Sequence, residues 1–329
     1  MNSSNRIRFS VIIPTINRSD MLRQAIEALC QQENPGCDYE VIAVDNGSRD
    51  NTKDMVEALA SKNTVPIIYL MEPRSGSHFA RNTGFKAARG DILGLIDDDV
   101  IVDKQWVKNI VKVYDNREVS CAGGRLSLRW VNGPPPKWIE PFKGVLGEIN
   151  YGDKPEELTC PRTIVAGNFS IRKDMLFKVG GYNPCNAPGD KLVGDGESGL
   201  CLKVYWAGGR IFWVTDAFGW HVQDAQRVTP AYIRRRGLYQ GMSNAYTIYR
   251  SRNGNCLQVF KEAFKQSIGS MGVLVGVIIK FRYVKNWTSE LTKFFYDFNS
   301  IVGLISYLYR IYTDRQLRQL VTRMDWLNE

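Results

Sequence analysis

Histidine is nearly absent: His78 and His221 are the only two in 329 residues, which excludes a histidine-rich metal centre. The seven cysteines (Cys30, Cys37, Cys121, Cys160, Cys185, Cys201 and Cys256) are scattered and form no Cys-x-x-Cys pair. They are expected to be reduced thiols in a cytosolic compartment. Glycine-rich phosphate cradles are missing too. No Gly-x-Gly-x-x-Gly follows the first predicted strand, and no Gly-x-x-x-x-Gly-Lys occurs, which argues against the dinucleotide-dehydrogenase and P-loop classes. The apolar runs are short: 267–279 and 298–309 are each about a dozen residues, below the ~20 that a bilayer-spanning helix needs. The N-terminus reaches a strand within ten residues, without an apolar leader of signal-peptide type.

What is present is ordinary in bulk and uneven in charge. Hydrophobic residues make up 44% and charged residues 23%, as in a globular chain, and the net charge is +9. Residues 222–329 carry 16 Lys and Arg against 7 Asp and Glu, so the totals of 43 and 34 leave 27 against 27 for residues 1–221. The whole excess sits in the last third, which suggests an anionic partner, either a nucleic acid or a membrane surface. That third is too apolar for a disordered basic arm, and its apolar segments argue against a nucleic-acid stripe.

Apolar strands are predicted at 9–14, 39–44, 65–70 and 91–96. Helical periodicity falls between them at 20–31 (with Ser19 as cap), 51–60 and 78–88. Four such alternations with short loops mean βαβ units and a parallel sheet. From 120 to 188 the texture is irregular, with Gly133-Pro134-Pro135-Pro136-Lys137-Trp138 marking a long loop and a strand-like run at 163–171. A helix at 194–208 and a strand at 210–214 follow. The last third is helical. Its two apolar stretches, one holding Gly272-x-x-x-Gly276, are flanked by Lys280, Arg282, Lys285, Lys293 and Arg310, interleaved with Tyr283, Trp287, Phe294, Phe295, Tyr296 and Tyr312. This suits a helix pair lying in the headgroup region of an anionic membrane. The alternatives are a helical subdomain packed on the core and a homodimer interface. An α/β domain at 1–221 and a basic helical region at 222–329 are therefore expected.

Gly90-Asp91-Ile92-Leu93-Gly94-Leu95-Ile96-Asp97-Asp98-Asp99 is a core strand that ends in three carboxylates. In open α/β sheets the carboxyl edge of the strands is where ligands bind. Adjacent carboxylates repel unless a cation joins them, and a hard divalent ion with oxygen ligands is the natural one. A solvated acidic turn capping a helix near Asp103 is the competing account.

Four motifs taken together carry more than any one alone. Val11-Ile-Ile-Pro-Thr-Ile-Asn-Arg18, Val44-Asp45-Asn46-Gly47-Ser48 through Asp50-Asn51-Thr52, Ala80-Arg81-Asn82-x-Gly84 and Gly90 through Asp99 resemble, in order and spacing, the family 2 glycosyltransferases of the GT-A fold. The resemblance spans residues 8–241 and implies that 1–221 is a catalytic domain, with a nucleotide-binding half at 1–100 and an acceptor half at 101–221. It implies an α/β, Rossmann-like, mixed and mostly parallel sheet flanked by helices, with a helical C-terminal extension. It also implies inverting transfer of a sugar from a nucleotide diphosphate, a UDP-sugar first, with Mn or Mg as cofactor.

Residue by residue, the resemblance places Pro14, Thr15 and Asn17 at the donor nucleotide. Asp45 would meet its base or ribose edge, unless it serves an Asx turn with Asn46-Gly47. Asp50 suits a helix N-cap. Arg81 would bind the diphosphate, with a salt bridge to Asp91 as the alternative. Asp97 and Asp98 would meet the nucleotide, while Asp99, Asp97 and His221 would hold the metal, which bridges the two phosphates.

Inverting transfer also needs a carboxylate to take the acceptor hydroxyl's proton. Aligning Gly199-Leu-Cys-Leu through Ala207-Gly208 with the family's helix puts Glu197 at that position. Gly196 then stands where the common pattern has an acid, and Asp195 is a competitor. Trp138, Asn168 and Arg236 are candidates for contact with acceptor or diphosphate. The Gln-x-x-Arg-Trp of processive synthases is absent, so addition of a single sugar is expected. The expected acceptor is a glycan or lipid-linked hydroxyl in surface polysaccharide synthesis, in the cytoplasm or on the cytoplasmic face of the inner or plasma membrane. Two other classes fit parts of the sequence: a nucleotidyltransferase, whose basic glycine-rich loop Thr15-Ile16-Asn17-Arg18 fails to supply, and a noncatalytic sugar-nucleotide-binding module.

Overall fold

The structure is a computed structural model that describes residues 6–184, 192–279 (269–279 by backbone alone) and 287–328. Cys185, Lys280, Arg282, Tyr283 and Lys285 lie outside the described residues, and Gly272-x-x-x-Gly276 lies in the backbone-only stretch.

The first half alternates as the apolar periodicity predicts: β1 (Phe9–Thr15), α1 (Ser19–Cys30), β2 (Tyr39–Asp45), α2 (Thr52–Lys62), β3 (Ile67–Met71), α3 (Ser77–Ala87) and β4 (Ile92–Leu95). β1, β2 and β4 are buried along their whole length, hence their continuous apolar runs. Then come β5 (Val100–Val102), α4 (Trp106–Val113), β6 (Val119–Trp130), β7 (Glu156–Leu158), β8 (Phe169–Arg172), α5 (Lys173–Lys178), α6 (Gly196–Trp206) and β9 (Arg210–Gln223).

These strands form one mixed sheet in the order β3-β2-β1-β4-β8-β6-β9-β5, with β7 added on β9. Pairing is parallel from β3 to β4 and again between β6 and β9, and antiparallel at β8, β5 and β7. Successive side chains in β1 serve opposite faces, as the strand period requires. Ile13 joins a layer with Leu22, Ile26 and Trp106, and Ile12 joins one with Phe85, Phe169 and Leu200.

Two departures from the sequence expectation shape the site. The run at 163–171 becomes a strand only at Phe169, after a short 3-10 turn, Ala166–Asn168. The strand expected at 210–214 continues to Gln223, so His221 sits inside β9, paired with Val100 of β5.

The last third folds as α7 (Pro230–Ser251), α8 (Cys256–Ile279), α9 (Trp287–Thr313) and α10 (Arg315–Thr322). Thr229 caps α7, its hydroxyl accepting from Tyr232 N at 3.2 Å. α7 and α9 touch backbone to backbone. A Cβ on Gly241 would fall 1.9 Å from Ser300 O, and one on Gly303 would fall 2.1 Å from Leu238 O. Beyond α10 the chain returns to the sheet. Leu327 is buried in the cluster of Phe85 and Phe169. Trp326 N donates to Gly180 O at 2.7 Å, and Asn82 Nδ2 donates to Trp326 O at 3.0 Å. The helical region thus completes the core of the sheet region. Among the described residues no helix is long and apolar enough to cross a membrane.

Candidate active site

The carboxyl ends of β1, β2 and β4 converge, and β5 and β9 bring His221 to the same edge. Asp98 turns back toward β1, accepting from Thr15 Oγ1 at 2.8 Å and Arg18 Nη1 at 2.8 Å. Burial pushes its carboxyl up to about 6, against the pull of Arg18. Asp99 is buried and holds three partners. Its Oδ2 accepts from Arg18 Nη1 at 3.0 Å and Arg227 Nη2 at 2.7 Å, and its Oδ1 lies 3.2 Å from His221 Nε2. Burial works against ionisation of Asp99, but His221, Arg227 and Arg18 outweigh it and hold that carboxyl well below the usual range. Oδ1 has no well-directed hydrogen bond, and Nε2 also faces Arg227 Nη1 at 3.2 Å.

Asp97 points the other way and is partly exposed, with Arg81 Nη2 donating to its Oδ1 at 2.9 Å. The alternative partner Asp91 pairs with Arg6 instead. The Arg81 guanidinium stacks over the Tyr182 ring at 4.7 Å, and Tyr182 Oη donates to Glu197 Oε2 at 2.7 Å. Three contacts therefore link the acidic tip to Glu197 (Asp97 to Arg81, Arg81 to Tyr182, Tyr182 to Glu197).

Asp45 is buried and takes the turn role, with Oδ1 accepting from Ser48 N at 2.7 Å and Oδ2 from Tyr69 Oη at 2.9 Å. Asn17 ties the loop after β1 to that after β2, its N donating to Ser48 Oγ and its Oδ1 accepting from Arg49 N, both at 2.8 Å. Its φ of +52° is the left-handed region that Asn tolerates. Pro14 is buried within β1. Asp50 accepts from Ser19 N at 3.1 Å and Thr52 N at 3.2 Å, stitching the starts of α1 and α2 together.

Three sequence candidates do not come to the cleft. Asn168 is wholly buried. Its Oδ1 accepts from Trp106 Nε1, while Nδ2 donates to Arg125 O and Ala217 O, so it braces the sheet and is not open to an acceptor. Trp138 packs edge-on against Phe142 in a satellite cluster with Ile139 and Ile233. Arg236 lies by the partly buried Tyr296 of α9. Arg227, from the connector between β9 and α7, reaches the tip in its place. The sequence signal for it was its position six residues after His221 in a polar connector. Tyr182 was visible only as the third residue of Gly180-Gly181-Tyr182.

Comparison with known proteins decides the family. The model of Glycosyl transferase family 2 matches residues 10–178, about half of the chain. The chain belongs to that family. Glycosyltransferase AglE of Haloferax volcanii is 33% identical over 213 residues, spanning 64% of this chain and 66%, just under two thirds, of that protein. The glucosyl-dolichyl phosphate glucuronosyltransferase of the same organism is 25% identical over 72% of this chain and 76% of its own length. Among solved structures, the mannosyltransferase PcManGT from Pyrobaculum calidifontis, in complex with GDP-Man and Mn2+, superposes with a TM-score of 0.61 at 16% identity. That match covers 95% of this chain and 89% of the neighbour. Staphylococcus aureus TarS 1-349 in complex with UDP-GlcNAc gives 0.51 at 20% identity over 71% and 66%. The family 2 chain described here has the GT-A fold of these glycosyltransferases.

Proposed function

We propose that this glycosyltransferase moves one sugar, with inversion, from a nucleotide diphosphate to a hydroxyl of a glycan or lipid-linked acceptor, using a divalent metal. The observations that carry the proposal are the pairing of buried Asp99 with His221 at the strand ends and, from the neighbouring Asp97, the contacts through Arg81 and Tyr182 to Glu197. The donor set fits a metal: a buried carboxylate oxygen without a well-directed hydrogen bond faces an imidazole nitrogen at 3.2 Å. Asp99 and His221 would hold the ion, which would supply positive charge for the diphosphate that leaves; Asp97 turns to Arg81 instead, and among the described residues no third His, Cys, Asp or Glu joins the pair. Arg81, Arg227 and Arg18 add guanidiniums to the same edge, and Glu197 takes the proton of the attacking hydroxyl. Asp45 and Thr15 line the end of the parallel strands where a nucleotide base and ribose would lie. The complexes of the two solved neighbours with GDP-Man and with UDP-GlcNAc support this donor class. A screen of nucleotide sugars, UDP-sugars first, should release free nucleotide diphosphate with one or two of them in the presence of Mn2+ and acceptor. Release by none, with tight sugar-nucleotide binding, would favour a noncatalytic binding module.

The acceptor reading extends to a surface. Along α9, Leu291, Phe295, Phe298, Val302, Ile305 and Tyr309 recur every three or four residues, and all are exposed. α8 presents Leu257, Phe260, Phe264 and Ile268 in the same way, beside a groove of ≈ 570 Å³ bordered by Lys261, Lys265 and the Arg252–Glu262 ion pair. An apolar helical face with basic borders, in the third that carries the whole charge excess, is complementary to an anionic membrane surface. We assign it to the cytoplasmic face of such a membrane, and the dolichyl-phosphate substrate named for one relative supports a lipid-borne acceptor. Vesicles containing phosphatidylglycerol should sediment the wild-type chain at low salt, and neither neutral vesicles nor the Phe298→Asp/Ile305→Asp variant should show this. Concentration-dependent dimerisation lost in that variant, without vesicle binding, would assign the face to a second copy.

A further inference from the structure

The turn before α6 sends its two carboxylates to opposite sides of the chain. Asp195 points inward and is buried. Its Oδ1 accepts from Asn183 Nδ2 at 2.7 Å and lies 3.7 Å from Arg250 Nη1, and its Oδ2 accepts from Thr247 Oγ1 at 2.9 Å. Thr247 and Arg250 are one turn apart on α7. The inward fold depends on Gly199, since a Cβ there would fall 1.8 Å from Asp195 Oδ1. Between the two acids Gly196 takes φ +49°, the left-handed region, which reverses the chain so that Glu197 emerges on the cleft side. Two residues before Asp195, Val193 N donates to Tyr307 Oη of α9 at 2.8 Å.

We propose that Asp195 is a positioning residue for the reaction. It tethers the turn that carries Glu197 to α7, so that the C-terminal helices form the rear wall of the active site. The proposal rests on Glu197 being the base. A base must come within hydrogen-bond reach of the acceptor hydroxyl. Asp195, 7% exposed and engaged by three side chains of its own molecule, does not offer that reach. It fixes where the partly exposed Glu197 stands, and Tyr182 then orients the Glu197 carboxylate. Misplacement of a reacting group by about 1 Å costs about 10²-fold in rate, so slackening this tether acts on turnover without touching the donor.

The test uses the full chain with the donor and acceptor found by the screen. Thr247→Val removes one hydroxyl and keeps the shape; Thr247→Ser keeps the hydroxyl. Expected for Asp195→Asn and Thr247→Val is a fall in transfer kcat of about 10- to 100-fold, with donor KM and the calorimetric affinity for donor unchanged. The double variant should be no worse than Asp195→Asn alone, and Thr247→Ser should restore the rate. A purely structural role would instead weaken donor binding and raise donor KM along with the loss of kcat, which overturns the proposal. Full turnover in Thr247→Val overturns it too, and that variant carries the test if Asp195→Asn does not fold. Extinction of transfer in Asp195→Asn together with persistence of transfer in Glu197→Gln would make Asp195 the base, so the base assignment would fail, a result distinct from failure of the tether.

Discussion

Replacing Glu197 by Gln is expected to lower the transfer rate by about 10²- to 10⁴-fold, the usual contribution of a general base, while sugar-nucleotide binding is retained. The substitution is close to isosteric. The Gln carbonyl can still accept from Tyr182 Oη, which lies 2.7 Å from Glu197 Oε2, so the turn should keep its shape. What disappears is the ability to take a proton. Calorimetric titration with the donor, beside a transfer assay, separates the two effects. Unaltered turnover would remove Glu197 from the chemistry, and loss of donor binding would mean that the variant had disturbed the opposite half of the cleft.

The second large effect is expected at Asp99. Asp99→Asn should lower turnover by about 10²- to 10³-fold, the loss typical of removing one group that stabilises transition-state charge. The activity that remains should need more Mn2+ than the wild type, and wild-type turnover should stop with a chelator. The same change leaves Arg18 and Arg227 without their shared carboxylate. Losing such buried charged partners costs about 1–3 kcal/mol, visible as a lower midpoint in denaturant. Nucleotide release measured across a Mn2+ series checks the first part. Wild-type turnover that ignored the chelator would sink the metal reading, whatever the stability of the variant.

The parallel half of the fold was legible in the sequence because each of its elements obeys one local rule. β1, β2 and β4 are apolar runs that end in Thr15, Asp45 and the triple aspartate, and their boundaries shift by one or two residues at most. Residues that act over long distances in sequence were harder to see. His221 was expected after a strand, but β9 continues through it because pairing with β5 extends the ladder, and no periodicity in 215–223 announces a partner at Val100. Asn168 was a candidate through the resemblance of Gly167-Asn168-Phe169 to the family's acceptor segment, and Trp138 as a ring that could stack on a sugar, whereas here tertiary packing uses both. Arg227 escaped notice for the opposite reason, and Tyr182 stood out only through its Gly-Gly-Tyr segment, with no role of its own. Their roles come from contacts with Asp99 and Glu197 that are 128 and 15 residues away in sequence, and side-chain type alone does not reveal such contacts. The unusual acid–glycine–acid order at 195–197 was visible at once, but its meaning needed the φ of Gly196 and the position of α7.

The return of Trp326 and Leu327 to the sheet has a consequence for biosynthesis. Asn82 and Trp326 are hydrogen-bonded across 244 positions of chain. At a ribosomal pace of about 5–20 residues per second, α3 therefore waits roughly 12–50 s for the residues that seal it. Until then the pocket that will receive Leu327 faces solvent, so the nascent sheet region is a natural client for chaperones, and a stalled or prematurely ended chain should aggregate through that opening.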